Sequence, residues 1–175
     1  MKIVENLRAE HQKILSTLRA VSQLARQMEK GGPLKVDPIR AMVASTLEFQ
    51  SRCHHFKEER LFQILGLRLG AEGIPLLAEL EAEHKASSEL LKNIERQLAQ
   101  TLPQVPFLKS RIVETLWTFV ELNCRHIDKE EKWFFPLAER LIPPDEELSL
   151  WEYFKPSSPL PPAGPLPSTF GYKKL

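Results

Sequence analysis

No stretch of this sequence approaches the ~20 consecutive apolar residues that cross a bilayer. The first residues, MKIVENLRAEHQ, lack the apolar core of a secretory signal. Cysteine is scarce: Cys53 and Cys124 alone cannot build a disulfide framework and read as free thiols of a reducing compartment. The expected location is the cytoplasm, without a membrane partner. An excess of one charge is also missing. With 24 basic and 23 acidic residues, net +1, the chain generates no field that would gather nucleic acid or an anionic surface. Period-two alternation, phosphate-cradling glycine loops and a Ser–His–Asp arrangement are absent too, which argues against a sheet and against the commonest hydrolase and nucleotide chemistries.

What is present is helical. Glycine and proline gather at Gly31-Gly32-Pro33, from Gly66 to Pro75, from Thr101 to Pro106 and at Pro143-Pro144. Between these breaks lie four long stretches rich in Leu, Glu, Lys, Arg, Gln and Ala, all strong helix formers. Asp37-Pro38 reads as an N-cap followed by proline at the first helical position. Each stretch carries a stripe with steps of three or four residues. The first runs Ile3, Leu7, His11, Ile14, Leu18, Val21, Ala25, Met28, and the second Ile39, Val43, Leu47, Gln50, His54, Glu58, Leu61, Leu65. The third runs Leu77, Leu80, His84, Ser87, Leu91, Ile94, Leu98, and the fourth Ile112, Leu116, Phe119, Asn123, His126, Glu130, Phe134, Leu137, Leu141. Short connections predict an all-α fold, an antiparallel up-down-up-down four-helix bundle over residues 1–142. Residues 143–175 form a second region. Asp145 to Tyr153 can make a short fifth helix pinned by Trp151, Tyr153 and Phe154. Lys155 to Leu175 holds six of the fourteen prolines and reads as an extended tail, a possible site for a protein partner.

The stripes contain an anomaly. An inward face should be apolar, yet these include His11, His54, Glu58, His84, His126 and Glu130. A lone buried carboxylate costs more than a small domain's stability margin unless it is protonated, paired or bound to metal. His54-x-x-x-Glu58 and His126-x-x-x-Glu130 each set an imidazole and a carboxylate one turn apart on one helix face. The second half also repeats the first. Ala9-Glu10-His11 matches Ala82-Glu83-His84, and His54-x-x-Lys57-Glu58-Glu59 matches His126-x-x-Lys129-Glu130-Glu131. The single histidine precedes the paired one by 43 residues in the first half and 42 in the second. Chance surface histidines have no reason to obey such a repeat. Six ligands with local two-fold symmetry divide into two metals. His11 and His54 would serve one ion and His84 and His126 the other, with Glu58 and Glu130 bridging and open positions left for oxo, hydroxo, water or a small molecule. Mixed imidazole and carboxylate ligation suits iron, and also manganese or zinc.

At these residues the chain resembles the hemerythrin-like, or HHE cation-binding, family. The ordered set H…HxxxE…H…HxxxE carries the likeness over roughly residues 3 to 142, supported by Cys53-His54-His55-Phe56-Lys57-Glu58-Glu59 and by Phe134-Phe135-Pro136. The resemblance implies two non-haem irons in a four-helix bundle, with functions that include oxygen binding, redox sensing, iron handling, peroxide breakdown and nitric oxide chemistry. Oxygen-carrying members have a second histidine one turn after the third-helix ligand, where this chain has Ser88, and end in HxxxxD rather than HxxxE. The departure favours sensing or reactivity with peroxide or nitric oxide over stable oxygen carriage. The preferred expectation is a binding or sensing protein for a diatomic or peroxide ligand. The alternatives are a peroxidase- or catalase-like di-iron enzyme and an iron or zinc store or structural site.

Flanking residues have weaker signals. His55, about 100° round the helix from His54, reads as a ligand, an outer partner or an exposed residue, and is left outside the ligand set. Glu59 and Glu131 read as solvated. Glu10 and Glu83 read as surface residues, with acceptance of a histidine N–H as the alternative. Glu81, one turn before His84, is placed to replace a missing ligand but reads first as a non-ligand. Trp117, Phe119, Trp133, Phe134 and Phe135 read as core.

Overall fold

A computed structural model describes residues 1–70, 73–99 and 105–154. It is all-helical, and no strand occurs among the described residues. The α-helices are α1 (Lys2–Glu29), α2 (Val36–Phe49), α3 (His55–Gly66), α4 (Ile74–Ala99), α5 (Val105–Lys129), α6 (Phe135–Leu141) and α7 (Pro144–Phe154). A π-helical turn, Gln50–His54, runs without a break from α2 into α3, and a second, Glu130–Phe134, joins α5 to α6. No helix of the described residues is long and apolar enough to cross a membrane.

The glycines and prolines do their work at the ends. Gly31 takes φ 93° and lets Gly32 donate back to Gln27 O at 3.0 Å, closing α1. A side chain on Gly32 would meet that same carbonyl at 2.6 Å. α2 starts at Val36, one residue before the expected cap, with no side-chain cap at its end. Asp37 and Pro38 therefore lie in the first turn, where a missing N–H leaves no bond unmade. The proline-rich segment 155–175 and most of the Thr101–Pro106 break lie outside the described residues.

Two apolar clusters form the core. One gathers the start of α1 (Ile3, Val4, Leu7), α3, the start of α4 (Leu77, Leu80), Phe134, α6 and α7. The other gathers the rest of α1 (Ile14 to Met28), α2 (Ile39, Val43), the end of α4 (Leu91, Ile94, Leu98) and α5 (Ile112, Leu116, Phe119). α7 covers the first cluster. Phe154 meets the edge of Phe56 at 6.0 Å, Trp151 and Tyr153 pack partly buried beside it, and Glu147 accepts from the Lys2 N–H at 2.8 Å. Between the clusters lies a polar layer that includes His11, His54, Glu58, His84, His126 and Glu130, all nearly or fully buried.

The second π turn shifts the fourth stripe by one residue. Leu137 and Leu141 are only half-buried, and Phe135, Ala138 and Ile142 take the inward places. A π turn inserts one residue without a break in the helix, so everything beyond it rotates. Trp133, inside that turn, is 66% exposed and Trp117 is half-buried, so neither is a core residue as expected, whereas Phe119, Phe134 and Phe135 are.

Candidate metal centre

The two π turns lie in the two continuous helical stretches, α2 to α3 and α5 to α6, that each carry a His-x-x-x-Glu pair. One ends on His54 and the other begins on Glu130. They widen the helix locally and turn extra side chains inward, as π turns at functional sites commonly do.

The six side chains meet at one centre. Glu58 and Glu130 are fully buried, and each aims its two oxygens in two directions. Glu58 Oε1 lies 3.1 Å from His54 Nε2 and 3.5 Å from His11 Nε2, while its Oε2 lies 3.3 Å from His84 Nε2. Glu130 Oε2 lies 3.2 Å from His11 Nε2, while its Oε1 lies 3.3 Å from His126 Nε2 and 4.0 Å from His84 Nε2. The His84 and His126 Nε2 atoms face each other at 3.1 Å. Two groups have donor atoms mutually within 4.8 Å: His11, His54, Glu58 and Glu130, and His55, Glu58, His84 and His126.

This arrangement fits a cation. Both oxygens of Glu58 and of Glu130, with Nε2 of His11 and of His54, are buried without a hydrogen-bond partner. Without a counter-charge each such atom would cost about 1–3 kcal/mol, more when charged; without an ion, imidazole and carboxylate offset this only as ion pairs at 3.1–3.5 Å. These six converge on one centre, with the chemistry of imidazole and carboxylate ligands; a seventh, His84 Nδ1, faces away toward Glu59.

Outside the centre, carboxylates orient the histidines. His54 Nδ1–H donates to Glu10 Oε2 at 3.1 Å and His126 Nδ1–H to Glu83 Oε2 at 3.0 Å. His11 Nδ1–H donates to Glu131 Oε1 at 2.7 Å. Each bond leaves the inner Nε2 with the lone pair once the ring is neutral. Lys57 bonds to Glu10, and Lys129 bonds to Glu83, so the repeat extends to the outer partners. Phe135 stacks on His11 and Phe62 on His84, walling the site with hydrocarbon.

The charges respond strongly. Burial alone would lower the pKa of His11, but the adjoining Glu130 and Glu58 carboxylates outweigh it and push it up to about 10. At His126 burial is likewise outweighed, first by Glu130 and then by Glu83, again to about 10. His84 also moves up, burial being overcome by Glu58. Burial would raise Glu58, yet His54, His11 and His84 hold it well below the usual carboxylate range. Glu83 falls to about 2, the His126 and Lys129 bonds overcoming its burial.

All six predicted side chains are brought together. The misses lie around them. His55, left outside the ligand set, is 5% exposed and joins the second group. Glu10 is buried, and Glu83 and Glu131 accept histidine N–H groups in place of the surface roles expected. The repeat of Glu10 with Glu83 and of Glu59 with Glu131 was the available signal. Glu59 and Glu81 are exposed, and the free thiol Cys124 is exposed while Cys53 is half-buried. Gln50, Ser87 and Asn123 carry no signal in the sequence beyond their stripe positions. They form a buried network next to the centre: Gln50 Nε2–H and Ser87 Oγ–H both donate to Asn123 Oδ1 at 3.1 Å.

The family model described as the Hemerythrin HHE cation binding domain matches residues 2–138. No curated protein and no solved structure matches the chain.

Proposed function

The chain belongs to the hemerythrin HHE cation-binding domain family, and from that premise we propose that it holds two non-haem irons and uses them to bind or sense oxygen, nitric oxide or peroxide. The helices make four rods, α1, α2–α3, α4 and α5–α6, running alternately up and down. The grouping of the start of α1 with α3, the start of α4 and α6 supports that direction. His11, His54, His84 and His126 would hold the ions by Nε2, and Glu58 and Glu130 would bridge them. The observation that carries this reading is that each fully buried carboxylate turns one oxygen to each half of the site, with no hydrogen bond to either oxygen.

When bound, the irons supply reversible electron transfer and positions open to a small ligand. The chain's own groups set the conditions. Glu10, Glu83 and Glu131 fix which histidine nitrogen faces inward. Phe62 and Phe135 keep bulk water from the centre. A cavity of about 220 Å³ between α1 and α2 has Phe49 in its wall, and that ring lies over His54 at 6.2 Å. This is space for a small apolar molecule close to the site.

The test is metal analysis of protein from its own host, with absorption spectra before and after reduction and on exposure to oxygen or nitric oxide. Two irons per chain and a ligand-dependent spectral change without turnover support the proposal. Colourless, tightly held zinc with no redox response overturns it, and sustained peroxide consumption replaces sensing with catalysis.

A further inference from the structure

We infer that the cavity between α1 and α2 is a binding site for a small aromatic carboxylate, an organic anion the size of benzoate. The site is independent of which metal the centre holds. Where α1 faces α2 the side chains are short, Thr17 on one helix and Ser45 and Thr46 on the other, and they do not fill the space between the helices. The volume left, about 220 Å³, exceeds the ~150 Å³ of a dry cavity that takes benzene. It far exceeds the ~30 Å³ that one water occupies in the liquid, so a diatomic molecule would leave most of it empty. Ile14, Leu18 and Phe119, all buried, form an apolar floor, and the ring of Phe49 forms one wall. The exposed residues Lys13 and Ser45 mark the mouth.

The polar lining calls for an anion. Lys13 is the one charged residue of the lining, and no acid among the described residues pairs with it. Thr46 is only 8% exposed, yet its hydroxyl bonds to no described residue. A helical threonine ordinarily turns its hydroxyl back to the carbonyl one turn earlier, as Thr17 does to Lys13 O at 3.2 Å. Buried hydroxyls normally have a partner, so Thr46 is left to donate into the cavity. A carboxylate between Lys13 and Thr46 accepts from both, and an apolar ring behind it lies on the floor. The second half of the repeat has the fold without these features. Thr118, the counterpart of Thr46, is exposed and donates to Glu114 O at 3.0 Å. Ala86 stands in place of Lys13, and Glu121, itself an anion, in place of Phe49, all along an open groove.

The experiment is titration calorimetry of the metal-loaded full chain with benzoate and, separately, with toluene, repeated on Lys13→Met, Thr46→Val and Ile14→Phe. Benzoate should bind once per chain. Lys13→Met and Thr46→Val nearly keep the side-chain size and each remove one donor, and each should weaken benzoate at least about tenfold. Ile14→Phe fills the cavity from its floor and should abolish binding. Toluene should bind more weakly than benzoate and be indifferent to Lys13→Met. Lys13 is exposed, so its variant keeps the test valid even where Ile14→Phe does not fold. No saturable binding of benzoate by the wild type overturns the inference. Benzoate binding unchanged by both Lys13→Met and Thr46→Val also overturns it, because the anion then sits elsewhere, as on the metal. Toluene bound as tightly as benzoate overturns it too, and leaves an apolar cavity with no preference for charge.

Discussion

His11 Nδ1 sits 2.7 Å from Glu131 Oε1, whereas His84 Nδ1, its counterpart in the repeat, comes no closer than 3.7 Å to Glu59 Oε1. Glu131 is about one-third exposed, Glu59 more than half, and Arg8 also holds Glu131 at 3.1 Å. Only the first contact is a hydrogen bond. Glu131→Gln should therefore lower iron affinity about 10–100-fold, while Glu59→Gln changes it little. Competition with a coloured chelator measures both. Equal losses would mean that the repeat, and not the individual hydrogen bond, governs affinity.

The helices were legible because apolar residues recur at three and four, and the site because histidines and carboxylates occupy that recurrence twice at nearly equal intervals. The π turns were not legible. Gln50 to His54 and Glu130 to Phe134 are steps of four whether the turn between them is α or π, so the stripe gives no sign of the inserted residue. That one insertion explains why Leu137 and Leu141 read as inward and Phe135, Ala138 and Ile142 are. The other insertion, at Gln50–His54, gives His55 its inward place beside His54. Glu10 and Glu131 read as surface residues because a charge next to an apolar stripe normally is one. Their burial or bonding depends on a histidine from another helix, which no local pattern reveals.

Loading should release protons. In the metal-free protein His11 and His126, both raised to about 10, are charged at neutral pH, and iron binds only the neutral ring. Titration with ferrous iron at pH 7.5, in buffers of different ionisation enthalpy, should show about two protons leaving these rings per loaded chain. No dependence on buffer would contradict the ion-paired state of the empty site.

The same two histidines set a pH window for stability. Their folded pKa values lie above the unfolded value of 6.5. The stability they contribute to the metal-free protein is therefore complete below pH 6.5 and lost as pH rises through about 10. Metal affinity moves the opposite way, because protons compete less at higher pH. Melting temperatures of the metal-free and loaded forms should diverge between pH 6.5 and 10, with the metal-free form falling. Parallel curves would contradict the assignment.

Asn123 separates packing from ligation. Its Oδ1 accepts from Gln50 and Ser87, and its Nδ2–H donates to Phe119 O at 2.8 Å, all in a buried layer. Asn123→Leu strands those partners and should cost about 1–3 kcal/mol in urea unfolding, with metal content unchanged. Loss of metal at unchanged stability would place Asn123 in the metal centre itself.

Glu58 is the one side chain common to both donor groups. Glu58→Ala should abolish binding of both ions, whereas a change at an outer partner weakens binding without abolishing it. Retention of either ion at wild-type affinity would show that Glu58 does not bridge. Dialysis against ferrous iron followed by metal analysis decides this.

The most direct measurement is anomalous diffraction at the iron edge from crystals of the loaded chain. Two peaks are predicted, flanked by Glu58 and Glu130, one beside His11 and His54 and the other beside His84 and His126. A single peak, or peaks away from those carboxylates, would contradict the paired centre.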